Sequence, residues 1–129
     1  MNFSSIVSLR GLFPCADPAK ISLVAQELGV SLPEKYVSLI TFSDGCLLDN
    51  GLCIYKIEDL AERNKTFEIF DYLPGYLLIG DDSGGKGILV SLDPANQRIY
   101  ESGLGDLNPN DLNLISDSFQ SWIDSKFQL

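Results

Sequence analysis

The spacing of apolar residues changes character twice along this chain, and that order of patterns limits the folds open to it. Between Asp17-Pro18, an N-cap followed by proline at the first helical position, and Gly29, the residues Ile21, Val24, Ala25 and Leu28 recur at i, i+3, i+4 and i+7. That is an amphipathic helix. A second is expected to open at once on the capping box Ser31-Leu32-Pro33-Glu34, to bury Tyr36, Val37 and Ile40 with Leu39 near the edge, and to stop at a left-handed Gly45. Beyond Gly45 the helical period gives way to short apolar runs. Cys46-Leu47-Leu48 and Leu52-Cys53-Ile54-Tyr55 flank Asp49-Asn50-Gly51, a strong hairpin signal.

Residues 58–70 read as a short helix, after which Pro74-Gly75 turns the chain into Tyr76-Leu77-Leu78-Ile79, apolar throughout and so expected at the centre of a sheet. Residues 88–92 and 98–102 follow as strands joined by the turn Asp93-Pro94-Ala95-Asn96. The helical period then returns. A last helix is expected to start between Asn108 and Asn113 and to present Leu112, Ile115, Phe119, Trp122 and Ile123 as one stripe. Helices, then hairpin-connected strands, then a helix predict an α+β fold, a mainly antiparallel sheet flanked by helices; the absence of regular strand-helix alternation argues against a doubly wound parallel sheet. With 129 residues and no repeat or linker, a single domain over residues 1–129 is expected.

Histidine is absent. That removes Ser-His-Asp and Cys-His activation of a nucleophile, the imidazole acid/base and the commonest metal ligand together. The net charge is −9, and −7 of it falls in residues 68–129, where ten carboxylates face only Lys86, Arg98 and Lys126. Bare nucleic acid and anionic membrane are expected to be repelled. The carboxyl half is either a solubilising surface or a docking face for something basic. Cys15, Cys46 and Cys53 form no C-x-x-C pair and stand among apolar neighbours, so buried free thiols and a reducing, cytoplasmic setting are expected. The amino terminus lacks the pattern of a signal peptide, and no apolar run reaches the length of a membrane span.

Two segments imitate binding loops and fall short. Gly80-Asp81-Asp82-Ser83-Gly84-Gly85-Lys86-Gly87 matches G-x-x-x-x-G-K, but glycine stands where a P-loop needs Ser or Thr, and a strand follows where a helix N-terminus should meet the phosphate. Asp81 and Asp82 would repel that anion. Asp106, Asn108 and Asn110 fall at calcium-loop positions 1, 3 and 5 with Asp117 at position 12, yet Asp111 occupies the glycine position and no helix precedes. Both are read as turns, and no metal or other cofactor is expected. Asp81, Asp82, Asp93, Glu101 and Asp106 crowd the strand region, but nothing separates an acid from a base among them. Tyr36, Tyr72, Tyr76, Tyr100 and Trp122 are expected to serve core packing, with any exposed subset able to anchor a partner.

The order of these pieces resembles a known family over most of the chain, from Gln26 to Ile123. Glu27-Leu28-Gly29, then Leu32-Pro33-Glu34-Lys35-Tyr36 opening a helix that ends Phe42-Ser43-Asp44-Gly45, is similar to the start of SUKH-superfamily domains, the group of Smi-Knr type cell-wall assembly regulators and many bacterial immunity proteins. Residues 76–82 with Gly84, Gly85 and Gly87, then Leu92-Asp93, resemble its strand, glycine-rich connection and second strand. Ile99-Tyr100 and the segment from Ser118-Phe119 to Trp122-Ile123 match its end. The chain departs from the pattern at Asp44-Gly45-Cys46, where the family often has Asn-Gly-Gly, and in a slightly stretched glycine-rich connection.

The resemblance implies no enzymatic activity. In bacteria it implies a small cytoplasmic protein that binds and neutralises a toxin from neighbouring cells, commonly a nuclease; a monomer or weak dimer is expected. A basic toxin domain suits an acidic inhibitor, because opposite charge steers association. The partner-binding residues expected on that reading are Asp81, Asp82, Glu101, Asp106 and Asp111. The alternative is a housekeeping regulatory or scaffolding module of the same fold in cell-wall or signalling complexes.

Overall fold

The computed structural model describes residues 1–129. Helix α1 (Pro18–Leu28) starts where the Asp17 carboxylate accepts the Ala19 N–H at 3.0 Å, and it ends on Gly29 at φ +69°. Helix α2 (Glu34–Phe42) follows after a tight corner and buries Tyr36, Leu39 and Ile40. Leu39 is therefore a core residue rather than an edge one, while Val37 is only half-buried. The capping box does not form: Pro33 is the N-cap and no side chain caps the helix. Pro33 carries the extended backbone that entry to a helix requires, so Ser31 lies outside the first turn.

Strands β1 (Cys46–Leu47) and β2 (Cys53–Ile54) form the expected hairpin, followed by α3 (Ile57–Thr66) and the short α4 (Ile69–Tyr72). The single helix expected over residues 58–70 is thus two, broken at Glu68, whose φ of +53° is left-handed. Strands β3 (Tyr76–Asp81), β4 (Lys86–Ser91), β5 (Ile99–Gly103) and β6 (Asn113–Ser116) complete a six-stranded antiparallel meander in the order β1-β2-β3-β4-β5-β6. Helix α5 (Phe119–Asp124) closes the chain, with the Ser118 hydroxyl accepting the Ser121 N–H at 3.0 Å.

The last helix is shorter than the periodicity predicts. Residues 109–111 make a 3₁₀ turn and Asn113–Ser116 a strand, so Leu112 and Ile115 are not on a helical stripe. Leu112 packs with the smaller apolar cluster and Ile115 with the larger one. Pairing with β5 settles the matter, because an extended chain sends alternate side chains to opposite faces where a helix would put i and i+3 together.

Those two clusters lie on the two faces of the sheet. Leu77, Ile79, Ile88, Val90 and Ile99 pack with Tyr36, Ile40, Leu60 and Trp122, whereas Leu78 and Leu89 pack with Tyr55, Ile69 and Leu73. Burial on both faces is why β3 reads as one apolar run. Between Leu78 and Gly80 the register slips by one residue. Just there β2 has run out, its last ladder partner being Gly80, and the side chain of Asn64 takes over the edge of β3. Its amide accepts the Leu78 N–H and donates to the Leu78 carbonyl, both at 2.9 Å, and also donates to the Leu60 carbonyl at 2.9 Å. Asn64 is only 2% exposed, so a helix side chain acts as a one-residue strand inside the core.

Ser43, Asp44 and Gly45 hold the first half together. The buried Ser43 hydroxyl accepts the Phe13 N–H at 2.9 Å and donates to the Gly45 carbonyl at 2.6 Å. The Asp44 carboxylate accepts the Ile57 N–H at 2.8 Å at the start of α3. Gly45 sits at φ +77°, and a Cβ there would lie 2.6 Å from the Ile54 carbonyl oxygen. The motif is a structural joint between α2, the hairpin and α3.

Two stability outcomes follow from buried polar groups. Asn64→Ala leaves both polar groups of Leu78 unpaired and is expected to cost about 3 kcal/mol, with Asn64→Leu failing to restore it; urea unfolding followed by circular dichroism reads the change. The Tyr36 hydroxyl is fully buried without a partner, so Tyr36→Phe is expected to stabilise the fold by about 1 kcal/mol in the same assay.

Candidate partner-binding site

The β3–β4 connection and the tip of the β1–β2 hairpin pack together, and the two acidic residues that lead the connection are occupied in building it. Asp81 closes β3, and its carboxylate accepts the Tyr55 hydroxyl at 2.7 Å and the Ser83 N–H at 2.9 Å. The Asp82 carboxylate accepts the N–H groups of Gly84 at 2.8 Å and Lys86 at 3.0 Å. Ser83, at φ +65°, donates its hydroxyl to the Gly51 carbonyl at 2.6 Å and ties one tip to the other. Three backbone donors that a phosphate could use in this P-loop-like segment, those of Ser83, Gly84 and Lys86, are thus already taken by the chain's own carboxylates.

Beside Asp81 lies a groove of about 270 Å³ lined by Phe13, Leu47, Cys53, Tyr55, Lys56 and Arg63. The Lys56 ammonium sits 4.3 Å from the centre of the Phe13 ring, and the Arg63 guanidinium 5.7 Å from that of Tyr55. Burial, then the Asp81 hydrogen bond and charge, push the Tyr55 hydroxyl well above its ordinary pKa. Burial likewise pushes the Cys46 thiol up to about 12, and burial with the Asp81 charge raises that of Cys53. Both thiols stay protonated at neutral pH and supply no thiolate. All three cysteines are free, but Cys15 is exposed and Cys53 half-buried, so only Cys46 is the buried thiol expected from their apolar neighbours.

The five acidic residues singled out by sequence do not form one face. Cross-strand partners share a face, so Asp81, opposite Gly87, and Glu101, opposite Ile88, lie on different sides of the sheet. Glu101 stands 3.6 Å from the Lys86 ammonium, and its side chain is 21% exposed. Asp106, in the β5–β6 connection, and Asp111, in the 3₁₀ turn, are exposed, and their carboxylates make no ion pair or hydrogen bond. The calcium-like spacing resolves into that turn: the Asn108 side chain caps it by accepting the Asn110 N–H at 3.0 Å, and no group of three or more acidic, cysteine or histidine side chains is placed to hold a metal ion.

Asp106 shares an open cleft with a second acidic residue that the sequence pattern hides. An open cleft of about 360 Å³ separates the α3–α4 junction from the β5–β6 connection and is lined by Phe67, Glu68, Tyr72, Leu104, Asp106 and Leu107. Tyr72, grouped by sequence with the packing aromatics, is 54% exposed. Trp122 and Tyr36 are buried as expected, and Tyr76 and Tyr100 are half-buried and meet edge to face, 5.8 Å between ring centres. Glu68 reads as one more position of a continuous helix; only the break at its left-handed backbone turns it toward the loop.

A family model described as the SMI1 / KNR4 family (SUKH-1) matches residues 15–125. The chain is also 30% identical over 112 residues to a Bacillus subtilis (strain 168) protein described as "Uncharacterized protein YnaB", an alignment covering 84% of this chain and 74% of that protein. No helix is long and apolar enough to cross a membrane.

The division between occupied and free carboxylates is open to direct test. Asp82→Ala is expected to lower stability by about 1–2 kcal/mol because two turn N–H groups lose their acceptor, whereas Asp106→Ala stays within about 0.5 kcal/mol of the parent in urea unfolding. The raised Tyr55 pKa favours the protonated native state. Its contribution is intact below the ordinary tyrosine pKa of about 10 and is lost as pH rises from there through the folded value, so Tyr55→Phe should flatten the alkaline fall of the melting temperature.

Proposed function

The chain belongs to the SMI1 / KNR4 family (SUKH-1), and from that membership and its charge distribution we propose that it is a non-enzymatic immunity protein. It acts in the cytoplasm as a monomer or weak dimer, and it binds and neutralises a basic toxin domain, a nuclease, through an acidic surface. The observation that carries this reading is the stretch from Ile99 to Ser125, which holds five carboxylates and no cation. Within it Asp106 and Asp111 are exposed and unengaged. An inhibitor must reach its target before the target reaches nucleic acid. Opposite charge can raise association rates by orders of magnitude at low salt, and free carboxylates on a connection between strands supply that field at little cost to the fold.

Sequence alone counts Asp81 and Asp82 among the five expected contacts. Their carboxylates hold the β3–β4 connection, so their part in binding is to shape the surface rather than to carry its free charge. Binding is instead assigned to Asp106 and Asp111.

Coexpression with a basic toxin domain encoded beside this chain's gene is the test. Rescue of growth is expected, together with a complex whose association slows about tenfold or more between low and high salt. Asp106→Lys combined with Asp111→Lys should slow association by a similar factor, while the charge-matched pair Glu34→Lys and Glu62→Lys leaves it close to the parent rate. Recovery of signalling or cell-envelope proteins with no toxin would favour the regulatory alternative. Tight binding indifferent to salt would sink the electrostatic account.

A further inference from the structure

The cleft between the α3–α4 junction and the β5–β6 connection combines three features. Its two carboxylates, Glu68 and Asp106, come from elements far apart in sequence, and neither makes an ion pair or a side-chain hydrogen bond. Asp81, Asp82 and Glu101, by contrast, are all engaged within the fold. In the groove beside Asp81, Lys56 and Arg63 offset two of the three carboxylates (Glu58, Asp59 and Asp81), whereas no cation lines this cleft. The rest of its lining is Leu104, Gly105 and Leu107 on one side, with Thr66, Phe67 and the half-exposed ring of Tyr72 on the other.

A long aliphatic stem ending in a planar cation fits that combination. The stem would cover the small leucine and phenylalanine surface that the cleft leaves wet. The head would meet a carboxylate from either wall and an aromatic face able to stack with a guanidinium. A lysine would meet the charges but gain less from the ring, an acidic side chain would be repelled by both walls, and a neutral polar one would lack the charge attraction.

We propose that this cleft is the anchor site for an arginine side chain of the basic protein partner. The inference rests on the immunity reading for the identity of that partner, but the cleft's preference is a property of this chain alone. Glu68, Asp106 and Tyr72 set the preference, with Leu104 and Leu107 as the apolar support.

The probe is a capped tripeptide with arginine at its centre, titrated into the full isotope-labelled chain and followed by amide chemical shifts. Its citrulline counterpart, nearly the same shape without the charge, is the control. Saturable shifts are expected at residues 67–72 and 104–107, with the citrulline peptide binding at least about tenfold more weakly. Glu68→Gln and Tyr72→Ala, both at exposed positions, should each weaken the arginine peptide several-fold while the spectrum elsewhere stays that of the parent. Shifts spread evenly over the acidic surface, equal binding of citrulline, or indifference to Glu68→Gln would overturn the proposal. The two readings fail separately. If Glu68→Gln and Tyr72→Ala leave toxin binding and rescue intact, the anchor is wrong and the immunity role stands; if arginine seats in the cleft but no basic toxin is neutralised, the reverse holds.

Discussion

The sheet of this protein depends on a substitution of side chain for backbone at Asn64. Strand β2 supplies only two residues to the edge of β3, and beyond it the polar groups of Leu78 would lie unpaired in an apolar interior. The Asn64 amide, with one donor and one acceptor edge, satisfies both at 2.9 Å. An unmade pair of this kind costs more than a made pair contributes, so the helix is held to the strand by the penalty of leaving it. Because α3 is fixed there, its carboxyl end and the break at Glu68 are fixed as well. That places the α3–α4 junction opposite the β5–β6 connection and opens the acidic cleft between them.

A similar economy explains the glycine-rich connection. A loop that must bend tightly between β3 and β4 has N–H groups with no ladder partner, and Asp81 and Asp82 accept them. The same residues that suggest anion binding by spacing therefore exclude it by occupancy. The charge they carry is partly spent on the turn and on the Tyr55 hydroxyl, and Glu101 is offset by Lys86. What stays free is on the β5–β6 connection, at the helix break and on α4, where Asp71 is exposed. The acidity of the carboxyl half thus sorts into charge that shapes the fold and charge available to a partner.

Much of the fold is legible without coordinates. Asp17-Pro18 and Gly29 mark α1, Asn50-Gly51 marks a hairpin, and the unbroken apolar run of β3 announces burial on both faces. These signals are local, since each follows from backbone preferences or from the period of a single element. The errors arise where a local pattern fits two structures. Leu112 and Ile115 suit a helical stripe, yet the open edge of β5 takes the segment as β6. Ser31 and Glu34 suit a capping box, yet Pro33 starts the helix later.

The candidate site divides along the same line. Sequence by itself determined the absence of imidazole chemistry, the antiparallel α+β architecture, the family and the concentration of negative charge after Glu68, because composition and short-range periodicity are carried by neighbouring residues. Only the tertiary structure decided which carboxylates are free, that Glu68 and Asp106 line one cleft, and that Asn64 is a core residue. Each of those is a relation between segments far apart in the chain, set by where β2 ends and where the helix breaks, and no one-dimensional pattern records whether a charge has already found its partner.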